Sequence, residues 1–172
     1  MPGNASNIRV WETGDVFIFD PDVPFAPGTH VPADIDTDLA VAWLTAGLMK
    51  DDPGIDLPRE IQRSDVTTWQ QGVVFERFRN PKSLLNFNLL EDNEAVEILV
   101  RKGKVPRPVK TYLAYETVSD DGYKERGITR KPALIWVPND GRRADPNTGR
   151  DVNVSLVPDG DTVWTIQEGI PA

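Results

Sequence analysis

Apolar residues occur along this chain in short runs that are separated by turn-forming residues. The clearest run is 83–90, where Leu85, Phe87 and Leu89 alternate with Asn86 and Asn88. Because successive side chains of a strand point to opposite faces, this alternation predicts a strand with one buried face. Similar runs predict further strands, for a total of about eight: 16–19, 39–49, 73–79, 83–90, 111–118, 126–136, 152–157 and 162–167.

One segment has helical periodicity instead. Residues 92–102 carry an apolar stripe of Val96, Leu99 and Val100 at helical spacing. Asp92 or Asn93 can cap its first turn by accepting hydrogen bonds from unpaired amides. A helix of about three turns is unstable alone in water. We therefore expect this helix to pack on a sheet.

Turn signals suggest how the strands connect. The Asn-Pro-Lys sequence at 80–82 predicts a hairpin between strands 73–79 and 83–90, and Asp-Gly turns predict hairpins across 119–122 and 158–161. Residues 20–38 contain four prolines, which exclude a helix or a central strand and predict an extended loop. The mostly polar segment 51–71 predicts a long loop or loose hairpin that Trp69 closes.

Together these elements predict a mainly β fold, an antiparallel β-sandwich or partial barrel with one flanking α-helix. The predicted organisation is an N-terminal arm and Pro-rich loop over residues 1–38. A β-sandwich domain over residues 39–172, with a helix near 92–102, follows it. A chain of 172 residues suits a single hydrophobic core.

Composition narrows the possible functions. The formal net charge is −8, so the chain as a whole repels nucleic acid. It has no cysteine, which excludes disulfides and thiolate chemistry. No apolar run approaches the roughly 18 residues of a spanning helix, and residues 1–9 lack the apolar region of a secretion signal. We therefore expect that the protein is synthesised in a cytoplasm and does not associate with a membrane.

The residues offer little for catalysis or metal binding. His30 is the single histidine, and without a second soft ligand it does not make a transition-metal site. The segment 145–151 has oxygen ligands on alternate residues, but its glycine is fifth instead of sixth in the loop, unlike an EF-hand. We therefore expect no enzyme activity, no catalytic residue, no metal and no cofactor. The five tryptophans leave open a carbohydrate-binding or hydrolysing β domain.

A more specific indication comes from the middle of the chain. It contains Trp43-Leu-Thr-Ala-Gly-Leu-Met, then the Asp-Pro-Gly turn at 52–54, then Asp65-Val-Thr-Thr-Trp69. The strand that ends in Leu-Leu-Glu91 and the Asp-Asn-Glu helix start follow. This order resembles the major tail proteins, or tail-tube proteins, of long-tailed bacteriophages, especially phages of actinobacterial hosts. The resemblance covers residues 39–172, and the Pro-rich loop 20–38 departs from it.

The resemblance implies a virion structural protein that forms hexameric rings. One sheet of each subunit would contribute to a β-barrel around a channel, and rings would stack into a tube through which DNA leaves the capsid. Implied partners are copies of the same chain, a tape measure protein and a terminator. DNA would pass without specific binding, and the acidic composition suits that role. Candidate channel carboxylates are Glu76, Glu91, Asp92, Glu116 and Glu125.

Two classes of alternative stay open. Within virions, a tail terminator, a head–tail joining protein or a capsid decoration protein has a similar small β fold and equally little chemistry. Outside virions, the alternative is the carbohydrate-binding or hydrolysing domain. For the tail-tube hypothesis, the expected subunit contacts are apolar residues of segment 51–71, which is long for a loop of a compact domain. They are Ile55, Leu57, Ile61 and Trp69.

This hypothesis makes a first prediction. Leu57→Asp is expected to leave the monomer folded and to block tube formation, because it places a charge in an apolar subunit contact. Circular dichroism checks the fold and electron microscopy checks the assembly. Normal tubes from this variant would contradict the assignment of the segment to subunit contacts.

Overall fold

The computed structural model of the protein describes residues 10–52, 54–70, 72–101, 103–140 and 149–171. These residues form two antiparallel five-stranded sheets that pack face to face. The mainly β sandwich predicted from the sequence is thereby confirmed. The N-terminal residues 1–9 and residues 141–148 lie outside the described residues.

The first sheet, called sheet A here, has the strand order β10-β7-β6-β1-β2. Strand β1, between β6 and the edge strand β2, lies within residues 1–38, so part of the predicted arm belongs to the sandwich. The strand bounds are β1 Trp11–Phe19, β2 Trp43–Thr45, β6 Leu113–Ser119, β7 Lys124–Thr129 and β10 Trp164–Gly169. The predicted hairpin across 119–122 is confirmed, since β6 and β7 pair with Gly122 at positive φ in the turn.

The second sheet, called sheet B, has the order β3-β4-β9-β8-β5. Its strands are β3 Arg59–Thr68, β4 Gly72–Leu89, β5 Val109–Thr111, β8 Ala133–Trp136 and β9 Arg150–Leu156. As predicted, Leu85, Phe87 and Leu89 are buried against the core. They meet Val16, Ile18, Leu113 and Tyr115 of sheet A.

Three predicted connections are wrong. The segments 73–79 and 83–90 are one continuous strand, β4, because Asn80 adopts φ 51 in a bulge instead of reversing the chain. The segment 126–136 divides into β7 and β8, which lie in different sheets. Strands β9 and β10 do not pair with each other, because the turn at 158–161 carries the chain from sheet B to sheet A.

Two helices accompany the sheets in the described residues. The short α1, Pro27–His30, lies in the Pro-rich loop, so the predictions of no helix in this loop and of a single helix are wrong. Pro27 stands at the start of α1, where the missing amide of proline removes no helical hydrogen bond. The longer α2, Glu94–Val100, falls inside the predicted 92–102, and Asn93 caps it by accepting a hydrogen bond from the Val96 amide. Ala95, Val96 and Leu99 are buried in the main core, as the apolar stripe predicted. Neither described helix is both long and apolar enough to cross a membrane.

The Pro-rich segment forms a second, smaller core on the outer face of sheet A. Phe19 and Trp43 are buried there, and Phe25 stacks on Tyr112 with ring centroids 3.7 Å apart. His30 lies edge-on to Phe19, and its Nδ1 accepts a hydrogen bond from the Ala26 amide. Contacts within its own chain therefore fix this segment.

A buried arginine holds that segment in place. Arg126 of β7 has no exposed surface, and its guanidinium donates to the backbone carbonyls of Asp34 and Thr37. It also donates to Gln167 of β10 and forms an ion pair with Glu116 of β6 at 2.5 Å. A buried charge is tolerated only when it is paired and hydrogen-bonded, so these four partners are required together.

We predict that Arg126→Met lowers the free energy of unfolding by about 3 kcal/mol. This value is the lower end of the range for breaking a buried ion pair, and we choose it because Lys124 still pairs with Glu116 in the variant. Urea unfolding followed by circular dichroism measures the change. The control is Arg130→Met, whose side chain is 45% exposed and should contribute less than ~1 kcal/mol. Equal stability of the two variants would contradict the structural role of Arg126.

Candidate functional site

The most unusual feature of the molecule is the part of the β3–β4 hairpin that extends beyond the sandwich. Strand β9 pairs with β4 only from Ser83 to Leu89, whereas β3 pairs with β4 from Ser83 back to Gly72. Every residue between 59 and 82 whose side chain is described is exposed. We call this two-stranded segment, residues 59–82, the ribbon.

The ribbon exposes large apolar side chains on both of its faces. Trp69 is fully exposed at the turn, Phe75 and Phe78 are each more than half exposed, and Ile61 and Val73 are also exposed. A two-stranded ribbon without a hydrophobic face packed on another layer is marginally stable in water. A cluster of exposed apolar side chains on such an element is typical of a protein interaction surface.

Strand register assigns the ribbon residues to two faces. On the face that continues the sandwich core, Arg63 opposes Phe78 and Asp65 opposes Glu76. Arg63 there forms ion pairs with both Asp65 and Glu76. On the opposite face, Ser64 opposes Arg77 and Gln62 opposes Arg79, with Phe75 further out. The second face is therefore the more basic one.

A groove of about 1010 Å³ lies near the base of the ribbon, at one end of the sandwich. Trp11, Leu48, Ile55 and Leu57 supply much of its apolar lining. Its charged lining comprises one lysine and five carboxylates, namely Lys50, Glu12, Asp15, Asp51, Glu91 and Glu125. The groove is thus both apolar and acidic.

The four subunit contacts expected from the sequence lie along a path from this groove to the ribbon turn. Ile55 is half-buried beside Gly14, and Leu57 is 39% exposed in the groove. Ile61 and Trp69 lie on the ribbon. The sequence did not single out Phe75, Phe78 or the ribbon arginines, because residues 73–79 were interpreted as an ordinary sandwich strand. The sequence feature that could have identified these residues is that apolar side chains occur on both faces of this strand, not on one face only.

The candidate channel carboxylates are dispersed. Glu116 is mostly buried on the outer face of sheet A, paired with Lys124 and Arg126. Glu76 is on the ribbon, and Asp92 lies 3.6 Å from a guanidinium nitrogen of Arg150. Glu91 and Glu125 line the groove. The five residues do not share one surface.

The tryptophans are also dispersed over the structure. Trp43 packs on Phe19 and Phe25 in the second core, and Trp164 packs edge-on against Tyr115. Trp11 lines the groove and Trp69 lies at the ribbon turn. No group of three histidine or acidic residues within the described ranges is arranged to hold a metal ion. Segment 145–151, whose glycine position departs from that of an EF-hand calcium loop, lies mostly outside the described residues.

Tyr115 forms the inner wall of the groove. Its hydroxyl donates a 2.6 Å hydrogen bond to Glu125, and its ring occupies the space over Gly127, where a Cβ atom would lie 2.3 Å from the ring. Burial, and then the adjacent Glu125 carboxylate, raise the pKa of the Tyr115 hydroxyl well above its usual value of 10.0. The groove wall is therefore built around a protonated tyrosine.

The raised pKa of Tyr115 predicts a loss of stability in alkali. The folded protein holds this proton more tightly than the unfolded chain, so the stabilisation is complete below pH 10 and declines as pH rises above it. We expect a smaller decline in Tyr115→Phe, measured by urea unfolding at pH values from 9 to about 11.5. Parallel declines in the two proteins would contradict this assignment.

Comparison with known proteins gives no family for this chain. No protein-family model matches the sequence. No curated protein matches it either. Functional inference therefore depends on the chain's own residues, and above all on the ribbon and the groove.

Proposed function

We propose that this chain is the structural subunit of a bacteriophage tail tube, which assembles into stacked rings around a channel for DNA. The observation that carries the proposal is the ribbon, which exposes Trp69, Phe75 and Phe78 to solvent in the isolated chain. Burial of apolar surface at about 25 cal/mol per Å² favours an assembly that covers these side chains. The order of motifs in residues 43–99 supplies the resemblance to tail-tube proteins.

The two sheets differ in a way that suits a tube wall. The outer face of sheet A is covered by the Pro-rich segment through Phe25, Val31 and Leu39. The outer face of sheet B carries the cross-strand pair Asn86 and Asn153, with Ser155 alongside. We assign the sandwich part of this face to the channel, because Asn86, Asn153 and Ser155 give DNA no cluster of cations to bind. The basic face of the ribbon continues this face beyond the sandwich and is not part of the assigned channel surface.

Exposed strand edges also favour ring closure. Strand β3 is the edge of sheet B at one side and the three-residue strand β5 is the edge at the other. Unpaired edges are hazards in a monomer, and pairing between subunits removes them. A contact between two different surfaces of identical subunits closes into a ring when its rotation allows. Under this proposal the channel barrel forms by edge contacts between neighbouring copies.

Electron microscopy of concentrated protein, combined with mass from light scattering, tests the proposal. We expect tubes with a central channel from the wild-type chain. Phe78→Asp is expected to remain a folded monomer, because it places a charge in a surface that assembly would bury. The matched control is Val41→Asp, which alters a 97% exposed residue of the Pro-rich segment and should still form tubes.

The same images distinguish the proposed function from its alternatives. A tail terminator or joining protein would form single rings without extended tubes, and a decoration protein would form no tube. A wild-type protein that stays monomeric at millimolar concentration would contradict self-assembly. Glycan binding that is lost in Trp69→Ala with the fold intact would favour the carbohydrate-binding domain.

A further inference from the structure

The ribbon and the groove have opposite charge. On the basic ribbon face, Arg77, Arg79 and Lys82 are accompanied by one carboxylate, that of Glu60 opposite Lys82. The groove has five carboxylates and one lysine. Within the described residues, Arg77, Arg79 and Lys82 form no ion pair. In the part of the chain that the structure describes, Glu12, Asp15 and Asp51 of the groove also form no ion pair. Both surfaces therefore carry uncompensated charge.

The ribbon and the groove also carry apolar side chains that could pack against one another. Phe75 shares the basic ribbon face, and Trp69 lies at the turn beyond it. The groove offers Leu48, which is 66% exposed, together with Trp11 and Leu57. An aromatic anchor that enters an apolar pocket beside charged groups has the composition of an interface core with a polar rim.

The ribbon cannot fill the groove of its own chain. Leu57 lines the groove and lies two residues before Arg59, where the ribbon begins. From Lys82 to Phe75 the strand extends by about 23 Å at roughly 3.3 Å per residue. Continuous pairing with β3 keeps the strand extended over this length. The basic face therefore projects away from the groove at its base, and the occupant of that groove has to be a different molecule.

We propose that the basic face of the ribbon, with Phe75, Arg77 and Arg79, docks in the acidic groove of a second copy of this chain. The inference rests on the proposed function and identifies the contact through which its subunits join. Ribbon and groove are different surfaces, so each copy both gives and receives one contact and the assembly can propagate. Because the charged groups are exposed, assembly should weaken as salt concentration rises.

Site-specific crosslinking tests the contact directly, because the chain contains no cysteine. Ser64→Cys places one thiol opposite Arg77 on the ribbon, and Leu48→Cys places another in the groove of a separate preparation. An equal mixture, assembled and mildly oxidised, is expected to give a disulfide-linked dimer of the two variants, identified by mass spectrometry. Val41→Cys mixed with Ser64→Cys is the control and should give only background crosslinking.

Charge reversal provides a second, independent test. Arg77→Glu with Arg79→Glu reverses the ribbon, and Glu12→Arg with Asp15→Arg reverses the groove. Each double variant alone opposes like charges and should lose assembly. An equal mixture restores opposite charges at every contact and should recover it. Lys104→Glu with Arg107→Glu makes the same change in charge on an exposed connector and should assemble alone.

The outcomes separate this contact from the proposed function. Tubes without a crosslink between positions 64 and 48, or with crosslinks only between two copies of position 64, would overturn the ribbon–groove contact and leave the tail-tube proposal standing. Failure of the charge-reversed mixture to recover assembly would also overturn it. A crosslink between 64 and 48 in small oligomers that never form tubes would support the contact and refute the tube.

Discussion

The arrangement of surfaces on this molecule depends on the buried guanidinium of Arg126. It joins β7 to Glu116 of β6, to Gln167 of β10 and to the backbone of the Pro-rich segment. That segment covers the outer face of sheet A through Phe25, Val31 and Leu39. One buried cation thereby helps to keep this side of the sandwich covered by the chain's own residues.

The sequence predicted those elements whose local pattern agrees with their surroundings. Alternation in 83–90 identified the core face of β4, and Asn93 with the apolar stripe identified α2. The hairpin across 119–122 followed from its Asp-Gly turn. In each case the signal and the structure it specifies lie within a few residues of one another. Interactions between residues close in sequence were therefore sufficient to predict these elements.

The errors occurred where distant residues decide the outcome. A turn at 158–161 is present, but pairing of β9 with β4 and of β10 with β7 places its two strands in different sheets. No signal in the sequence near Arg126 shows that carbonyls of Asp34 and Thr37 will surround it. The described side chains of segment 59–68 are exposed on both faces, and the segment therefore lacks the alternation that reveals a half-buried strand.

The bulge at Asn80 has a consequence for how the length of the ribbon can change. From Glu60 to Gln62 the partner strand advances from Lys82 to Arg79, one residue more than β3 advances. This extra residue keeps Lys82 and Arg79 on one face, and its loss would exchange the two faces beyond it. Insertions or deletions in the ribbon part of β4 should therefore involve two residues at a time, or be accompanied by a compensating bulge. Without a compensating bulge, the ribbon can lengthen over evolution only in steps of two residues per strand.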